Sequence, residues 1–287
     1  MNICQQIEQL RTFVGGWRKS GETVAFVPTM GNLHQGHLSL VELAQKKASR
    51  VVVSIYVNPL QFSPDEDFDS YPRTLEDDLE KLRSMAVDLV FTPDDSIIYP
   101  RGESCSTYIE VPELSHIIEG EFRPGFFRGV ATVVLKLFNM VQPDMAVFGE
   151  KDFQQLLIIR QMVHDLDLPI EIIGAEIIRE ADGLAMSSRN NYLAPVERDN
   201  SRKLSESLQQ LRHDIERGIS IELAEKACTE ALESHGFVVD YVTIRATDSL
   251  QRVSSEQLTA CKELIVLAAA KIGRTRLIDN VKFSVSL

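Results

Sequence analysis

Five runs of β-branched and aliphatic residues recur in the first part of the 287-residue chain. The runs cover residues 23–29, 50–58, 87–93, 144–150 and 170–178. Each is apolar almost continuously rather than at alternate positions, which is typical of strands covered on both faces. Segments with helical spacing separate them, at residues 37–49, 74–85, 128–141 and 152–166. The alternation predicts an α/β fold with a doubly wound parallel sheet, in which ligands bind at the carboxyl ends of the strands.

The pattern changes after residue 180. A polar stretch is followed by two amphipathic helical segments, at residues 196–218 and 220–236. Three short strand candidates come next, at residues 238–246, 263–270 and 275–283. Helices followed by a few strands predict a second, smaller α+β domain. With a boundary near Asp182 and Gly183, the predicted domains are residues 1–181 and 182–287.

The composition is that of a globular protein, with 44% hydrophobic and 25% charged residues. Acidic residues outnumber basic ones by 42 to 30, which gives a net charge of -12. Because a nucleic-acid-binding protein usually carries a basic patch, we expect no nucleic-acid partner. A small phosphorylated ligand remains possible, since a few local cations and helix N-termini can hold it.

The location in the cell is predicted from what the sequence lacks. The first residues, MNICQQIEQLRTF, have neither the basic start nor the apolar core of a secretory signal. The longest apolar stretch, at residues 130–141, is interrupted by Lys136 and is shorter than the roughly 20 residues of a membrane span. The four cysteines are far apart and form no C-x-x-C pair, as expected of reduced thiols. We therefore expect a cytoplasmic protein without a membrane contact.

One stretch, MGNLHQGH at residues 30–37, places two glycines and two histidines directly after the first apolar run. Gly31 and Gly36 permit a tight turn, and His37 opens the following helix. His34 and His37 therefore lie where backbone N–H groups and the helix dipole attract an anion, which favours a phosphate site. Zinc is the weaker hypothesis, because a metal pair on a helix is normally spaced i, i+4 with an acidic neighbour. The remaining alternative is two polar turn residues without a catalytic task.

Other candidate residues each have an ordinary interpretation beside the functional one. Arg189 lies among hydroxyls in AMSSRNNYL at the predicted junction, which suits either a mobile phosphate clamp or a plain linker. Lys151 follows a strand, so it either reaches phosphates at the sheet edge or is a solvated surface lysine. Gln61 and Gln155 offer both donors and acceptors for a polar substrate, or are merely exposed.

Together these stretches resemble known signatures. MGNLHQGH resembles the H-x-G-H motif, and AMSSRNNYL the K-M-S-K-S motif, of the nucleotidyltransferase superfamily that includes the class I aminoacyl-tRNA synthetases. That superfamily binds ATP on a Rossmann-like sheet. Six motifs, in order along nearly the whole chain, further resemble the pantoate–β-alanine ligase family: FVPTMGNLHQGHLSLV, SIYVNPLQF, YPRTLEDDL, FGEKDFQQL, READGLAMSSRNNYL and TRLIDN.

The resemblance implies an ATP-dependent ligase. In this family pantoate and ATP form a pantoyl adenylate and pyrophosphate, and the amine of β-alanine then displaces AMP. The resemblance implies catalytic roles for His34, His37, Lys151 and Arg189, with His37 as proton donor and Lys151 stabilising the transition state. It implies ATP contacts for Met30, Gly31, Asn32, Leu33, His34, Gln35, Gly36, His37, Gly149, Glu150, Lys151, Asp152, Ile178, Met186, Ser187, Ser188 and Arg189.

The resemblance also implies the remaining ligands and partners. Gln61, Gln155 and Asn58 would bind pantoate or β-alanine. Asp77 and Asp78 would approach the Mg²⁺ that accompanies ATP, although by pattern alone they form the solvated face of a helix. A homodimer is expected from the family only.

Two positions depart from the family pattern. Phe126 in RPGFFRG stands where the family usually has histidine, so a polar contact there is in doubt, although Arg123 and Arg128 remain. Arg189 stands in place of the lysine and serine pairing of the superfamily signature, which keeps the charge but changes a point contact to a fork.

Three alternatives stay open on the sequence. Another adenylyl- or cytidylyltransferase would need more basic residues around its acceptor than neutral Gln61 and Gln155 provide. A small aminoacyl-tRNA synthetase relative would need an RNA-binding surface, which the net charge does not supply. A non-catalytic nucleotide-binding module would have no reason to combine His34, His37, Lys151 and Arg189.

Overall fold

The structure, a computed structural model, describes residues 1–63, 66–254 and 263–284. The chain divides into two units. One unit consists of Met1–Glu150 with Ile158–Glu176, and the other of Lys151–Leu157 with Ile177–Leu287. The domain limits 1–181 and 182–287 stay a prediction.

A parallel sheet of six strands forms the centre of the first unit. The strands are β1 (Asn2–Cys4), β2 (Val24–Thr29), β3 (Arg50–Ile55), β4 (Leu89–Phe91), β5 (Met145–Gly149) and β6 (Glu171–Ala175). Their order in the sheet is β1-β4-β3-β2-β5-β6, and every neighbouring pair is parallel. The predicted α/β fold class is confirmed, with one strand more than the apolar runs indicate.

Helices lie on both faces of this sheet. The helices up to β6 are α1 (Ile7–Lys19), α2 (Gln35–Lys47), α3 (Leu75–Ser84), α4 (Asp95–Ile98), α5 (Glu119–Phe122), α6 (Phe126–Val141) and α7 (Phe153–Asp165). On β2, Ala25 and Val27 pack in one core cluster with Val41 of α2. Phe26 points the other way and meets Phe138 of α6 edge to face, with ring centroids 6.3 Å apart. Because successive strand residues face opposite sides, β2 must be apolar throughout.

The strand order indicates where a ligand is expected to bind in the first unit. The chain proceeds from β2 through β3 to β4 in one direction, and from β5 to β6 in the other. The direction therefore reverses between β2 and β5, which pair through Ala25 and Met145. In open parallel sheets, the crevice at the carboxyl ends of such strands is the usual binding site. The segments that leave β2 at Met30 and β5 at Glu150 lie at this edge.

The second unit is α+β. Its later elements are α8 (Pro195–Ser201), α9 (Lys203–Glu216), α10 (Ile221–Ser234), β7 (Phe237–Ala246), β8 (Leu264–Ile272) and β9 (Thr275–Phe283). The strands form an antiparallel sheet with β8 in the middle. Apolar residues of α9 and α10, such as Leu208 and Leu232, pack against this sheet through Val266 and Ile244. The smaller α+β part predicted from the sequence is confirmed.

The structure corrects three local predictions. The single helix predicted over residues 196–218 is wrong, since α8 ends at Ser201. There the Ser201 hydroxyl donates to the Arg198 carbonyl at 2.7 Å, a bond that competes with continued helix. The strand predicted over residues 50–58 ends at Ile55, because Asn58 caps a 3₁₀ turn at Pro59–Gln61. Strand β1 and helix α1 are not among the predicted elements.

None of the helices in the described part of the chain combines the length and apolarity that a membrane crossing requires.

Candidate active site

The turn between β2 and α2 is built on two residues with left-handed backbone. Gly31 has φ +82° and Asn32 has φ +49°. A Cβ on Gly31 would lie 3.1 Å from Asp78 Oδ2 and 3.2 Å from Ile55 Cγ2, so glycine is needed for both conformation and space. The turn follows Met30 and delivers the chain to the N-terminus of α2.

His34 and His37 are brought together at the first turn of α2. The Nδ1 atom of His34 accepts a hydrogen bond from the Gly36 N–H at 3.1 Å, and that of His37 accepts from the His34 N–H at 3.3 Å. Their ring centroids lie 4.1 Å apart. A nitrogen that accepts a hydrogen bond carries no proton, so each neutral ring carries its proton on Nε2 and can act there as a donor. Gln35 begins the helix and is exposed.

Two donors at a helix N-terminus match the chemistry of a phosphate. Backbone N–H groups and the helix dipole favour negative charge at this end of α2. Within the described ranges there is no group of three or more histidine, cysteine and acidic residues that could hold a metal ion.

The side chains of the neighbouring residues Asp77 and Asp78 lie in different environments. Asp77 is exposed, whereas the Asp78 side chain is 0% exposed. The Asp78 carboxylate accepts hydrogen bonds from the N–H groups of Asn32 at 2.8 Å and Leu33 at 2.7 Å. It also accepts from the Thr74 hydroxyl at 3.1 Å. The α3 carboxylate that touches the candidate site is therefore bound by the turn itself.

Asn58 and Gln61 lie side by side after β3. The buried Asn58 donates from Nδ2 to Gln61 Oε1 at 3.0 Å and to the Gly129 carbonyl at 3.2 Å. Its Oδ1 accepts from the Tyr99 hydroxyl at 2.8 Å and from the Leu60 N–H at 3.4 Å. Sequence reasoning missed Tyr99, because its partner lies 41 residues away.

Phe126, where the resemblance leads us to expect histidine, takes part in a contact with an arginine. The guanidinium of Arg123 lies 3.7 Å from the centre of the Phe126 ring. Arg123 also donates to both carboxylate oxygens of Glu66 at 2.6 Å and to the Gln61 carbonyl at 3.0 Å. Arg128 is paired with Glu110 at 3.0 Å. Arg123 therefore supports the backbone of Gln61 rather than offering an unpaired charge.

Gly149 ends β5, and Glu150 begins the 3₁₀ turn Glu150–Asp152 that leads to α7. Both residues are half-buried. They lie at the same carboxyl edge of the sheet as the end of β2, since the two strands are parallel neighbours.

The second unit holds another group of the predicted residues. Lys151 and Asp152 in the 3₁₀ turn and Gln155 in α7 are all half-buried. The carbonyl of Lys151 accepts a hydrogen bond from the Asn280 side chain at 2.9 Å. Sequence reasoning gave Asn280 no role, because polar residues are frequent along the strand β9 and none of them stands out by pattern.

The segment Met186–Arg189 is half-buried and held by backbone and side-chain bonds within the second unit. The Met186 N–H donates to the Ile178 carbonyl at 3.0 Å, and the Ser187 hydroxyl accepts from the Arg189 N–H at 3.2 Å. Ser188 begins the 3₁₀ turn Ser188–Tyr192. The Ile178 carbonyl, expected near adenine, is thus engaged within the chain.

One ion pair anchors Arg179, which lies shortly before this segment and outside the named strands. Arg179 donates to both carboxylate oxygens of the buried Asp279, at 2.7 and 2.9 Å, and to the Asn280 carbonyl at 3.2 Å. It also donates to the Gly183 carbonyl at 3.0 Å. These bonds tie β9 to the stretch of chain that directly precedes the predicted clamp, Met186–Arg189.

The chain matches a family model and named relatives over nearly its whole length. The model, described as pantoate-beta-alanine ligase, matches residues 2–282. A pantothenate synthetase of Shewanella oneidensis is 53% identical over 283 residues, which cover 99% of each chain. That of Shewanella woodyi is 51% identical over 284 residues, covering 99% of this chain and 100% of the relative.

Solved structures agree with the sequence relatives. Pantothenate synthetase of Thermus thermophilus superposes with a TM-score of 0.90 at 43% identity, covering 98% of this chain and 99% of that one. A pantoate-beta-alanine ligase of Francisella tularensis, complexed with beta-gamma ATP and beta-alanine, has a TM-score of 0.82 at 34% identity. The alignment with this ligase covers 98% of this chain and 97% of the ligase chain.

Proposed function

The chain belongs to the pantoate-beta-alanine ligase family, and from this premise we propose how its residues carry the reaction. The protein is an ATP-dependent ligase that joins pantoate and β-alanine through an amide bond. In the first proposed step, a carboxylate oxygen of pantoate attacks the α-phosphorus of ATP, and the bond to pyrophosphate breaks. In the second, the β-alanine nitrogen attacks the acyl carbon, the bond to AMP breaks, and the nitrogen loses a proton.

The observation that carries this proposal is the pair of histidines at the N-terminus of α2. Neither step needs a covalent enzyme intermediate, so catalysis consists of alignment and of positive charge or donors at the phosphates. The Nε2 donors of His34 and His37 suit the triphosphate, and His37 is the proposed proton donor to the departing pyrophosphate. The residues from Met30 to Gly36 surround the nucleotide in this proposal.

Residues of the second unit supply the cations. Lys151 stabilises the charge that develops at the α-phosphorus, and Arg189 with Met186–Ser188 closes over the phosphates. The support for Lys151 is its anchored backbone, since the bond from Asn280 fixes where the side chain starts. Gly149, Glu150 and Asp152 adjoin Lys151 and contact the nucleotide in this proposal, as does Ile178.

Pantoate and β-alanine are assigned to neutral amide side chains. Asn58 and Gln61 form a bonded pair, and Gln155 lies on α7. Amide groups donate to a carboxylate and accept from hydroxyls, as pantoate requires. A phosphate-ester acceptor would instead favour cations, so this chemistry argues against another nucleotidyltransferase.

Mg²⁺ enters the proposal as the partner of ATP, whose phosphate charge it neutralises. Asp77, with an exposed carboxylate in the first turn of α3, fits an outer-shell contact through water. The carboxylate oxygens of Asp78 already accept three hydrogen bonds from the chain, which favours a different role for that residue.

We further propose a cytoplasmic homodimer that contacts neither nucleic acid nor membrane. The support is the family and the net charge of -12. Light scattering at micromolar protein measures the mass, and a monomer there would contradict the dimer.

The test of the reaction is the exchange of labelled pyrophosphate into ATP with Mg²⁺. Pantoate, β-alanine, amino acids and phosphate esters are offered one at a time. Pantoate alone is expected to support exchange, and β-alanine is then expected to yield AMP and the amide. Exchange with a different acid only would change the substrate, and exchange with none would favour a binding module.

A histidine variant tests the assignment of the triphosphate site. His37→Asn keeps a polar side chain but removes the ring donor, and we expect it to slow exchange about 100-fold. The matched control is His235→Asn, at an exposed position after α10, which should exchange at the wild-type rate.

A further inference from the structure

The turn after β2 forms a small anion-binding concavity in its backbone. Because Gly31 and Asn32 both have positive φ, the N–H groups of Asn32 and Leu33 point to the same side. Both donate to Asp78, at 2.8 and 2.7 Å. Converging N–H groups of this kind bind phosphates in many nucleotide sites. In this turn the anion is a carboxylate of the chain itself.

Both carboxylate oxygens of Asp78 are engaged by groups of the chain. Its Oδ2 accepts from the Thr74 hydroxyl as well as from the turn, and its Oδ1 lies 3.9 Å from the Lys81 ammonium. Lys81 also donates to the Leu33 carbonyl at 2.8 Å. Asp78 and Lys81, one helical turn apart on α3, therefore hold the N–H and the carbonyl of Leu33. The Asp78 side chain is 0% exposed, and burying a carboxyl group is costly unless such partners satisfy its oxygens.

The fit of Gly31 shows that the turn and the carboxylate are built together. A Cβ at this position would come within 3.1 Å of Asp78 Oδ2. No other residue type combines the required φ with this approach at so little cost. We call the bonds from Asp78 and Lys81 to Asn32 and Leu33 the Asp78 clamp. The next residue along the chain is His34, the first of the proposed phosphate site.

We propose that Asp78 is a positioning residue that holds the turn so that His34 caps α2 and His37 lies beside it. It touches neither substrate nor Mg²⁺. The kinetic part of this inference rests on the proposed function, because the phosphate contacts of the histidines belong to it. Since Asp78 fills the concavity, the triphosphate binds at the N-terminus of α2 and the histidines, and not on the N–H groups of Asn32 and Leu33.

The first test measures the turn without any substrate. Amide hydrogen exchange is followed by NMR at Asn32 and Leu33 in the ligand-free wild type and in Asp78→Asn. The new side chain keeps one acceptor oxygen and turns an NH₂ group toward a backbone donor, so we expect both amides to exchange about tenfold faster or more. Glu76→Gln, an exposed change in the same turn of α3, is the matched control. Unchanged protection in Asp78→Asn would overturn the proposal.

The second test separates positioning from metal binding. Pyrophosphate exchange is measured over a range of Mg²⁺, ATP and pantoate concentrations. For Asp78→Asn we expect a fall in kcat of about 10- to 100-fold and a raised KM for ATP, because misplaced groups lose alignment. The KM for pantoate and the half-saturating Mg²⁺ should stay within about twofold of wild type. A rate that returns when Mg²⁺ is raised would assign Asp78 to the metal instead.

A milder variant keeps the proposal testable if Asp78→Asn does not fold. Lys81→Met removes the bond to the Leu33 carbonyl and leaves the carboxylate in place, so we expect the same kinetic pattern at about two- to fivefold. Wild-type kinetics in Lys81→Met would count against the positioning role of the Asp78 clamp. If the wild-type protein shows no exchange with pantoate, the proposed function fails, while the amide protection of Asn32 and Leu33 still decides the role of Asp78.

Discussion

At the scale of single residues, the orientation of one amide follows from its neighbours. The Leu60 N–H can only donate, and the Gly129 carbonyl can only accept, so they fix which end of the Asn58 amide carries oxygen. Asn58 Nδ2 then faces Gln61, which must present Oε1 to it. The Gln61 amide therefore directs its two N–H donors away from Asn58. Donors suit the carboxylate of pantoate.

Tyr99→Phe tests the hydrogen bonds that link Tyr99, Asn58 and Gln61. The change removes the hydroxyl that donates to Asn58 Oδ1 and loosens the amide that orients Gln61. We expect the KM for pantoate to rise about fivefold, which corresponds to about 1 kcal/mol, with the KM for ATP unchanged. The control is Tyr56→Phe, another buried tyrosine, whose hydroxyl bonds Asp95 instead. Equal effects of the two changes on pantoate would contradict the specific role of Tyr99.

Residue types were enough to indicate part of the candidate site. The glycines and histidines of the turn after β2 are consecutive in sequence, so their chemistry is visible without the fold. The bond between Asn32 and Asp78 joins residues 46 positions apart, and acidic residues at the start of a helix are ordinarily solvated. The Asp78 clamp could not be predicted, because only the packing of α3 against the turn buries that carboxylate.

At the scale of elements, one glycine sets the distance between α6 and the 3₁₀ turn Pro59–Gln61. A Cβ on Gly129 would collide with the Leu60 carbonyl. The helix therefore approaches the turn at backbone distance, and its Gly129 carbonyl can accept from Asn58. This contact between elements positions the amides of Asn58 and Gln61, which we propose bind pantoate.

We expect Gly129→Ala to push the 3₁₀ turn away from α6. Thermal unfolding should show a loss of about 1–3 kcal/mol, and the KM for pantoate should rise, because Asn58 and Gln61 move with the turn. Gly16→Ala in α1 is the matched control, since a Cβ there meets nothing within 4 Å. Alanine in that helix should stabilise by about 0.5–1 kcal/mol. A wild-type KM in Gly129→Ala would argue against the coupling.

Strand β9 offers a parallel test in the second unit. Asn280→Asp replaces the donor to the Lys151 carbonyl with an acceptor. The new carboxylate oxygen and the Lys151 carbonyl oxygen then repel each other. We expect kcat of the complete reaction to fall about tenfold, measured by AMP release. Lys271→Gln, an exposed change on β8, should leave it unchanged. Full activity of Asn280→Asp would mean that the backbone of Lys151 needs no such support.

Elements were predictable where the pattern is strong. The central strands are continuous apolar runs because helices cover both faces, as Phe26 and Val27 illustrate on β2. Strand β1 has only three residues, two of them exposed, so it carries no such signal. Helix α1 contains Gly15 and Gly16, which weaken its propensity, and its stability comes from buried Leu10 and Val14.

At the scale of the whole molecule, buried thiols link stability to alkaline pH. Cys4, Cys105 and Cys228 are free, and Cys261 lies outside the described residues. Burial raises the pKa of Cys4 from 9.0 to about 11 and that of Cys228 to about 12. The unfolded chain therefore releases these protons at lower pH than the folded protein. The contribution to stability is complete below about pH 9 and is lost as pH rises toward the folded pKa.

This linkage predicts how steeply the free energy of unfolding falls with pH. Above about pH 9, each buried thiol should reduce the free energy of unfolding by about 1.4 kcal/mol per pH unit, measured in urea at about pH 8 and about pH 10. Cys228→Ala should show a shallower loss between these values, whatever its stability at pH 8. Cys105→Ala, at an exposed position, should keep the wild-type slope. Identical slopes in all three proteins would show that the Cys228 thiol ionises equally in both states.

The short strand β1 also closes one edge of β4 to backbone pairing with strands of other molecules. It pairs with β4 through Asn2 and Leu89, Ile3 and Val90, and Cys4 and Phe91, and so covers the edge of a strand whose side chains are wholly apolar and buried. Without those first residues, β4 would present open backbone groups beside an apolar surface, which is a template for intermolecular pairing. A shortened N-terminus would therefore cost solubility before it cost activity, and an affinity tag is better attached ahead of Met1 than substituted for the residues that follow it.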